Sequence, residues 1–434
     1  MIAEVRMWGR TIGAVSQELG DPYAVFEYDP VFARSGIEIS PIEMPLRAGT
    51  YSFPRLNPQS FHGLPGLLAD SLPDRFGNAL IDAWLAREGR SAQTVTPVDR
   101  LCYVGTRGMG ALEYHPVEGP KFRQGTAIEV GELVRVASEV LSRRSAISGS
   151  FGKHGSHDAL LDLIRVGTSA GGARAKAVVA WNRATDEIRS GQVDPGSGFE
   201  HWIIKFDGVS NNRDHDLADP QGFGAIEYAY SLMAKRAGIE MAECRLMEEG
   251  SRRHFMTRRF DRPAAGGRLH MQSLGALAHI DYNQPGAHSY EQALLLISQL
   301  ALPRKALLEQ LRRMLFNVVA RNHDDHVKNI AFLMDKQGIW ALSPAYDISY
   351  SFNPAGDWTS RHQMTINGKQ DGFSPSDFDK CAAVARISRT TVAGILAEVI
   401  DAVNAWADIA AGVGLPEVVS GEIARNHRLT FEDT

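Results

Sequence analysis

Arg321-Asn322-His323-Asp324-Asp325-His326-Val327-Lys328-Asn329 is the densest polar run in the chain, and it lies between two apolar segments. Before it, from Pro303 to Val319, Leu307, Leu308, Leu311, Leu315 and Val318 recur at intervals of three and four, the apolar stripe of a helix. After it, Ile330-Ala331-Phe332-Leu333-Met334 reads as a buried strand. A charged run is ordinarily a solvated surface loop. This one joins two buried elements and carries Asp324 and Asn329 in the arrangement Asp-x-x-x-x-Asn.

That spacing suits phosphoryl transfer, in which an aspartate orients and deprotonates an acceptor hydroxyl while the asparagine holds a magnesium ion. Alone the motif is weak. Eighteen residues beyond Asn329, after a hairpin-like Phe332 to Leu342, comes Ala345-Tyr346-Asp347-Ile348, whose aspartate is placed to be a second magnesium ligand. Upstream, phosphates call for a cation and for a glycine-rich loop that lets backbone donors approach. Lys205, inside the strand-like His201-Trp202-Ile203-Ile204-Lys205-Phe206, is the cation. Glu227, on a helix starting near Phe223, is the candidate counter-charge. A lysine exposed on an amphipathic strand is the plainer alternative. The loop is Gly167-Thr168-Ser169-Ala170-Gly171-Gly172-Ala173-Arg174-Ala175-Lys176, which fits neither the Walker A nor the dinucleotide fingerprint and could equally be a flexible turn.

The 434 residues predict two to four domains, and 22% charged with 44% hydrophobic residues excludes a disordered or fibrous chain. Forty-six basic against fifty-one acidic residues give a net charge of −5, which supplies no global field for nucleic acid or anionic membrane. Cys102, Cys244 and Cys381 are too few and too scattered for a disulfide framework or a paired metal site, so a reducing cytoplasm is expected. No secretory h-region and no run of about 20 apolar residues is visible, so no membrane association is expected.

Residues 1–120 read as a small α/β unit, with strand-like Ala24 to Tyr28 and Gly36 to Ser40 and a helix from Pro73-Asp74 to about Glu88. Residues 121–260 hold a Gly-, Ser- and basic-rich connector broken by a helical Val134 to Leu141, then the glycine loop and strands Ala177 to Trp181 and His201 to Phe206. Residues 261–434 are mainly helical, with helices Ser289 to Ala301 and Pro303 to Val319 parted at Pro303; a further helix runs from Ala225 to Ala237. Trp8, Trp84 and Trp181 are expected in the core, and Asp261 is expected to pair with nearby arginines.

Ser169 to Lys176, His201 to Phe206, Arg259-Phe260-Asp261-Arg262, Asp324 to Asn329 and Tyr346-Asp347-Ile348, with Phe61 to Asp74 near the N-terminus, together resemble the HipA family of Ser/Thr kinase toxins of bacterial toxin-antitoxin pairs. The resemblance implies an α+β, kinase-like two-lobed fold with an N-terminal subdomain, and ATP and Mg²⁺ as cofactors. It implies that Asp324 and Lys205 are catalytic, that Asn329 and Asp347 hold the metal, and that Glu227 and Lys328 support the site. Nucleotide contacts fall to Ser169, Ala170, Gly171, Gly172, Ala173, Arg174, Lys176, Lys205, Arg258, Phe260, His326 and Asn329. Ser169 corresponds to the loop serine whose autophosphorylation inactivates family members, since a phosphoserine adds roughly two negative charges at a phosphate site. Arg258 departs from the glutamate usual at the hinge, and Ala175 from the proline or glutamate usual in the loop. The expected partners are a HipB-like helix-turn-helix antitoxin, operator DNA through that antitoxin, and a protein substrate such as an aminoacyl-tRNA synthetase, notably the glutamate enzyme. The expected setting is the bacterial cytoplasm, or the nucleoid when the chain is bound to antitoxin and DNA.

Two other readings compete. His323, Asp324, Asp325 and His326 could ligate a transition metal in a phosphohydrolase, although consecutive residues converge poorly on one ion. Alternatively the chain is a catalytically silent corepressor that scaffolds antitoxin on DNA, against which the complete Lys205, Asp324, Asn329 and Asp347 set speaks.

Overall fold

The computed structural model describes residues 1–119, 129–143, 174–191, 195–209, 213–214, 217–218 and 222–432. Alternation builds the first sheet: Ile2–Met7 (β1) buries Ala3, Val5 and Met7 and leaves Glu4 and Arg6 to pair on the outer face. With Arg10–Ser16 (β2), Val25–Tyr28 (β3), Thr50–Tyr51 (β4) and Leu112–His115 (β5) it forms an antiparallel sheet of order β4-β3-β2-β1-β5. The strand expected over Gly36 to Ser40 does not form. Its carbonyls are used in docking instead: Glu38 O accepts from the Trp340 indole at 3.1 Å and Ile39 O from His270 Nε2 at 3.0 Å.

A second sheet carries the glycine loop's exit. Lys176–Asn182 (β6), Glu187–Ser190 (β7), Glu200–Lys205 (β8), Cys244–Glu249 (β11) and Arg252–Arg258 (β12) pair antiparallel in the order β11-β12-β8-β6-β7. Arg213–Asp214 (β9) and Leu217–Ala218 (β10) form a short ladder apart from it. One face packs Ala177, Val179, Trp202 and Ile204 against Phe76 and Leu80 of the helix Arg75–Arg87 and Leu133 of the helix Val130–Arg143. The first of these helices begins where the sequence predicts, because Asp74 caps it by accepting from Gly77 N at 2.6 Å. The helix Phe223–Arg236 lies against β12, and Gly224 permits this: a Cβ there would stand 2.3 Å from Arg253 O.

The rest is mainly helical, as the periodicity predicts: Tyr290–Gln299, Arg304–Val319, Pro375–Ala383, Arg389–Asn404, Trp406–Val413 and Glu417–Asn426 share one apolar core with Phe223–Arg236. Pro303 separates two helices by capping the second. The antiparallel sheet His270–Ser273 (β13), Ala331–Met334 (β14) and Trp340–Leu342 (β15) joins this lobe to the N-terminal sheet, since Met334 is buried in the core of that first sheet and Trp340 packs on it. Gly66 is a second point of close approach. Its N–H donates to His279 Nε2 at 2.9 Å, and a Cβ on it would meet Ala276 O at 2.2 Å.

The fold is thus α+β, with ordered β-rich and helical portions meeting along Lys205, Glu227 and Asp347. Trp8, Trp84 and Trp181 are only half-buried, unlike Trp202 and Trp406. Two of them reach polar partners at the margin: Trp8 Nε1 donates to Arg268 O and Trp181 Nε1 to Asp186 Oδ1, each at 2.8 Å. All three cysteines are buried free thiols. Among the described residues no helix is long and apolar enough to cross a membrane.

Candidate active site

Lys205 ends β8 and lies directly across from Lys176 on β6 and Phe255 on β12. Cross-strand neighbours share a face, so two ammonium groups are brought side by side and require carboxylates to be stable there. Three are supplied from three separate elements. Lys205 Nζ donates to Glu227 Oε1 at 2.6 Å and to Asp347 Oδ1, while Lys176 Nζ stands 3.9 Å from Asp74 Oδ2. Burial disfavours the charge on Lys205, but Asp347 and Glu227 reverse this and hold the ammonium above the ordinary lysine range. Asp347 is likewise penalised by burial yet held well below the usual carboxylate range by Lys205 and Lys176. For Glu227 burial outweighs Lys205 and pushes the carboxyl up. The Glu227 side chain is 2% exposed and that of Asp347 32%, so Asp347 is the carboxylate able to exchange the ammonium for another cation.

Asp347 adopts a left-handed φ of +57°, a conformation costly for most non-glycine residues and tolerated best by Asn and Asp. Its neighbour Tyr346 holds it to the polar loop, because the phenol donates to Lys328 O and the ring packs 5.6 Å from that of Phe260. Within that loop Asn329 Nδ2 donates to Asp324 O at 2.8 Å. This fixes the amide so that its oxygen is the atom available to a cation. Asn329 and Asp347 therefore offer hard oxygen donors, the chemistry Mg²⁺ takes, with phosphates completing its shell. Among the described residues no group of three or more His, Cys, Asp or Glu is placed to hold a metal ion.

The carboxylate of Asp324 accepts from the indole of Trp358 at 2.9 Å through Oδ1, and His326 Nε2 lies 3.7 Å from the same oxygen. His326 thus faces the aspartate at a distance too long for a hydrogen bond, and its Nδ1 is buried without a hydrogen-bond partner. Asp325 points the other way, into the helical core. It accepts from Tyr290 Oη at 2.7 Å, His362 Nδ1 at 2.8 Å and Gln363 N at 2.7 Å. His323 donates from Nδ1 to Thr359 O at 3.0 Å. Two of the four residues in the transition-metal reading are therefore committed to structure and do not converge with the others.

Of the glycine loop, Ser169, Ala170, Gly171, Gly172 and Ala173 lie outside the described residues. The described part brings two cations toward the site. The Arg174 guanidinium lies 3.5 Å over the Phe223 ring and lowers the titration of Glu227, and Lys176 does the same to Asp347. Arg258 sends its guanidinium to Glu200 at 3.5 Å and Glu243 at 3.7 Å. Lys328 Nζ sits 4.2 Å over the Tyr282 ring. Asp261 pairs with arginines as expected: Arg259 grips it through both carboxylate oxygens at 3.0 and 2.7 Å, and Arg262 approaches at 2.6 Å. Gly110 N donates to the same carboxylate at 2.7 Å, tying the segment after β12 to the N-terminal sheet. Sequence reasoning missed Trp358, Tyr346 as a tether, and Asp74 as the partner of Lys176.

Residues 168–407 match the family described as the HipA-like C-terminal domain, and residues 3–115 match the HipA N-terminal domain. Among solved structures, HipA of Shewanella oneidensis MR-1, determined with HipB and its operator DNA, is 17% identical with a TM-score of 0.67, over 98% of this chain and 94% of that one. The Helicobacter pylori proinflammatory kinase CtkA is 12% identical over 52% of this chain and 84% of that one, with a TM-score of 0.34, a likeness too slight to build on. No curated protein sequence matches the chain.

Proposed function

The chain belongs to the HipA family, and from that premise we propose that it is an ATP- and Mg²⁺-dependent serine/threonine protein kinase acting as the toxin of a toxin-antitoxin pair. The observation that carries the reading is the Lys205 ammonium, bonded at once to Glu227 on a helix and to Asp347 beside the Asp324–Asn329 loop. A buried lysine between two carboxylates has no structural necessity, since apolar residues would fill the space at no greater cost. It has a catalytic one.

Bound Mg-ATP would supply the transferable phosphoryl group and the charge that neutralises its oxygens. Asn329 and Asp347 would hold the metal, and Asp347 would give up the Lys205 ammonium to the phosphates. Lys205, Lys176 and Arg174 then face four phosphate charges rather than carboxylates alone. Asp324 orients an acceptor hydroxyl and takes its proton. The hydroxyl oxygen bonds to the γ-phosphorus, and the bond from that phosphorus to the bridging oxygen breaks, leaving the electron pair on ADP. Phe260, beside Tyr346, would border the adenine together with backbone near Arg258, and His326, 3.7 Å from Asp324, would line the nucleotide site.

The chain is proposed to divide into an N-terminal subdomain 1–120, a connector and smaller lobe 121–260, and a helical lobe 261–434. A HipB-like helix-turn-helix antitoxin is the proposed partner, supported by the complex in which the Shewanella protein was solved. The net charge of −5 favours contact with operator DNA through that antitoxin. Phosphorylation of a translation component such as an aminoacyl-tRNA synthetase would arrest growth, and autophosphorylation at Ser169 would inactivate the kinase. Incubation of the purified chain with labelled ATP and magnesium, followed by mapping of the labelled residue, tests the reading. Label that requires Asp324 supports it, and label indifferent to Asp324 overturns it.

A further inference from the structure

We propose that Trp358 is a positioning residue for phosphoryl transfer, its indole N–H fixing the carboxylate of Asp324 in the orientation that receives the acceptor proton. The inference deepens the kinase reading and rests on it.

Four hydrogen bonds besides the indole's make the case. Trp358 stands in the loop between Asp347 and the helix Pro375–Ala383, which has no regular structure of its own and could hold no side chain in place unaided. On the C-terminal side of Trp358 it is tied to the polar loop and to itself. Thr359 O accepts from His323, Asp325 accepts from His362 and from Gln363 N, and Gln363 Nε2 returns to Trp358 O. The residues on either side of Asp324 thus anchor the residues on the C-terminal side of Trp358. Asp325 and His362 are both buried, so the stitching is desolvated and rigid.

The indole that this framework delivers to Asp324 Oδ1, at 2.9 Å, is a single neutral donor. A tryptophan N–H can donate and cannot accept, so it holds the carboxylate without competing for the proton that Asp324 must take. Free rotation about the terminal torsion of an aspartate is otherwise broad. Fixing it contributes to rate through orientation and leaves nucleotide binding untouched. A tryptophan placed only for packing would require no hydrogen bond to the one carboxylate that does chemistry.

The test replaces the donor and keeps the ring. The full chain carrying 3-benzothienylalanine at position 358, which is isosteric with tryptophan but lacks the N–H, is compared with Trp358→Phe and with the wild type in self-labelling from γ-labelled ATP. The expected result is a rate constant lowered by roughly 10- to 100-fold in both, with the half-saturating ATP concentration unchanged. A wild-type rate in the benzothienyl protein overturns the proposal, as does a loss confined to ATP affinity. Asp324→Asn is run alongside: if it labels as the wild type does, the kinase reading itself has failed.

Discussion

The Lys205 ammonium stands 2.6 Å from Glu227 Oε1, joining the end of a strand to a helix that Gly224 allows to lie against the sheet. Replacing Lys205 by methionine leaves Glu227 and Asp347 without their cation, at an expected cost of about 3–5 kcal/mol in urea unfolding. Phosphoryl transfer should fall at least about a hundredfold. Adding Glu227→Gln to Lys205→Met should recover part of the stability and none of the activity. If the double variant is no more stable than the single one, the ion pair does not organise this site.

The proposed magnesium site at Asn329 and Asp347 has its own test. Asp347→Asn and Asn329→Ala should each raise the Mg²⁺ concentration giving half-maximal labelling by roughly tenfold or more. A magnesium titration of both variants measures this, and unchanged titrations would remove the two residues from the metal.

Asp261 is the point where the segment after β12 is fastened to the first sheet. Asp261→Asn leaves Arg259, which is buried, and Arg262, which is half-buried, without a carboxylate and should destabilise the chain by about 3–5 kcal/mol. Limited proteolysis should then cut near Gly108 to Gly110 faster than in the wild type.

Histidine burial predicts a pH dependence. His270 of β13 donates from Nε2 to Ile39 O in the segment between β3 and β4, and burial depresses it from 6.5 to about 4. The folded state therefore binds fewer protons than the unfolded one between those values. Stability from this group is fully present above pH 6.5 and is lost as pH falls toward 4, by about 3 kcal/mol over the window. His270→Gln should flatten that part of the profile measured by chemical denaturation at successive pH values. A curve parallel to the wild type's would assign the acid loss to other groups.

Much of this was legible in residue order because it is local. The stripe from Leu307 to Val318 specifies a helix whatever surrounds it, and the polar run after it has to serve a purpose between two buried elements. Lys205, Glu227, Asn329 and Asp347 stand out by type and spacing, and the fold brings the first to Glu227 and Asp347. What was hidden depends on tertiary contact. Gly36 to Ser40 alternates as a strand does, yet among the described residues no strand pairs with it, and its carbonyls serve His270 of β13 and the Trp340 indole. Trp358 sits among Gly, Asn and Asp without a periodic neighbour, so nothing near it in sequence points to Asp324, thirty-four positions earlier. Asp74 looks like a helix cap, which it is, and only the packing of its helix on β6 brings it to Lys176.

The central claim is that Asp324 transfers a proton beside a magnesium-bound triphosphate held by Lys205. Labelling of purified wild type, Asp324→Asn and Lys205→Met with γ-labelled ATP and Mg²⁺, each variant first shown to be folded, tests it most directly. We expect label on the wild type, mapping to Ser169, and none on either variant. Equal labelling of wild type and Asp324→Asn would contradict it.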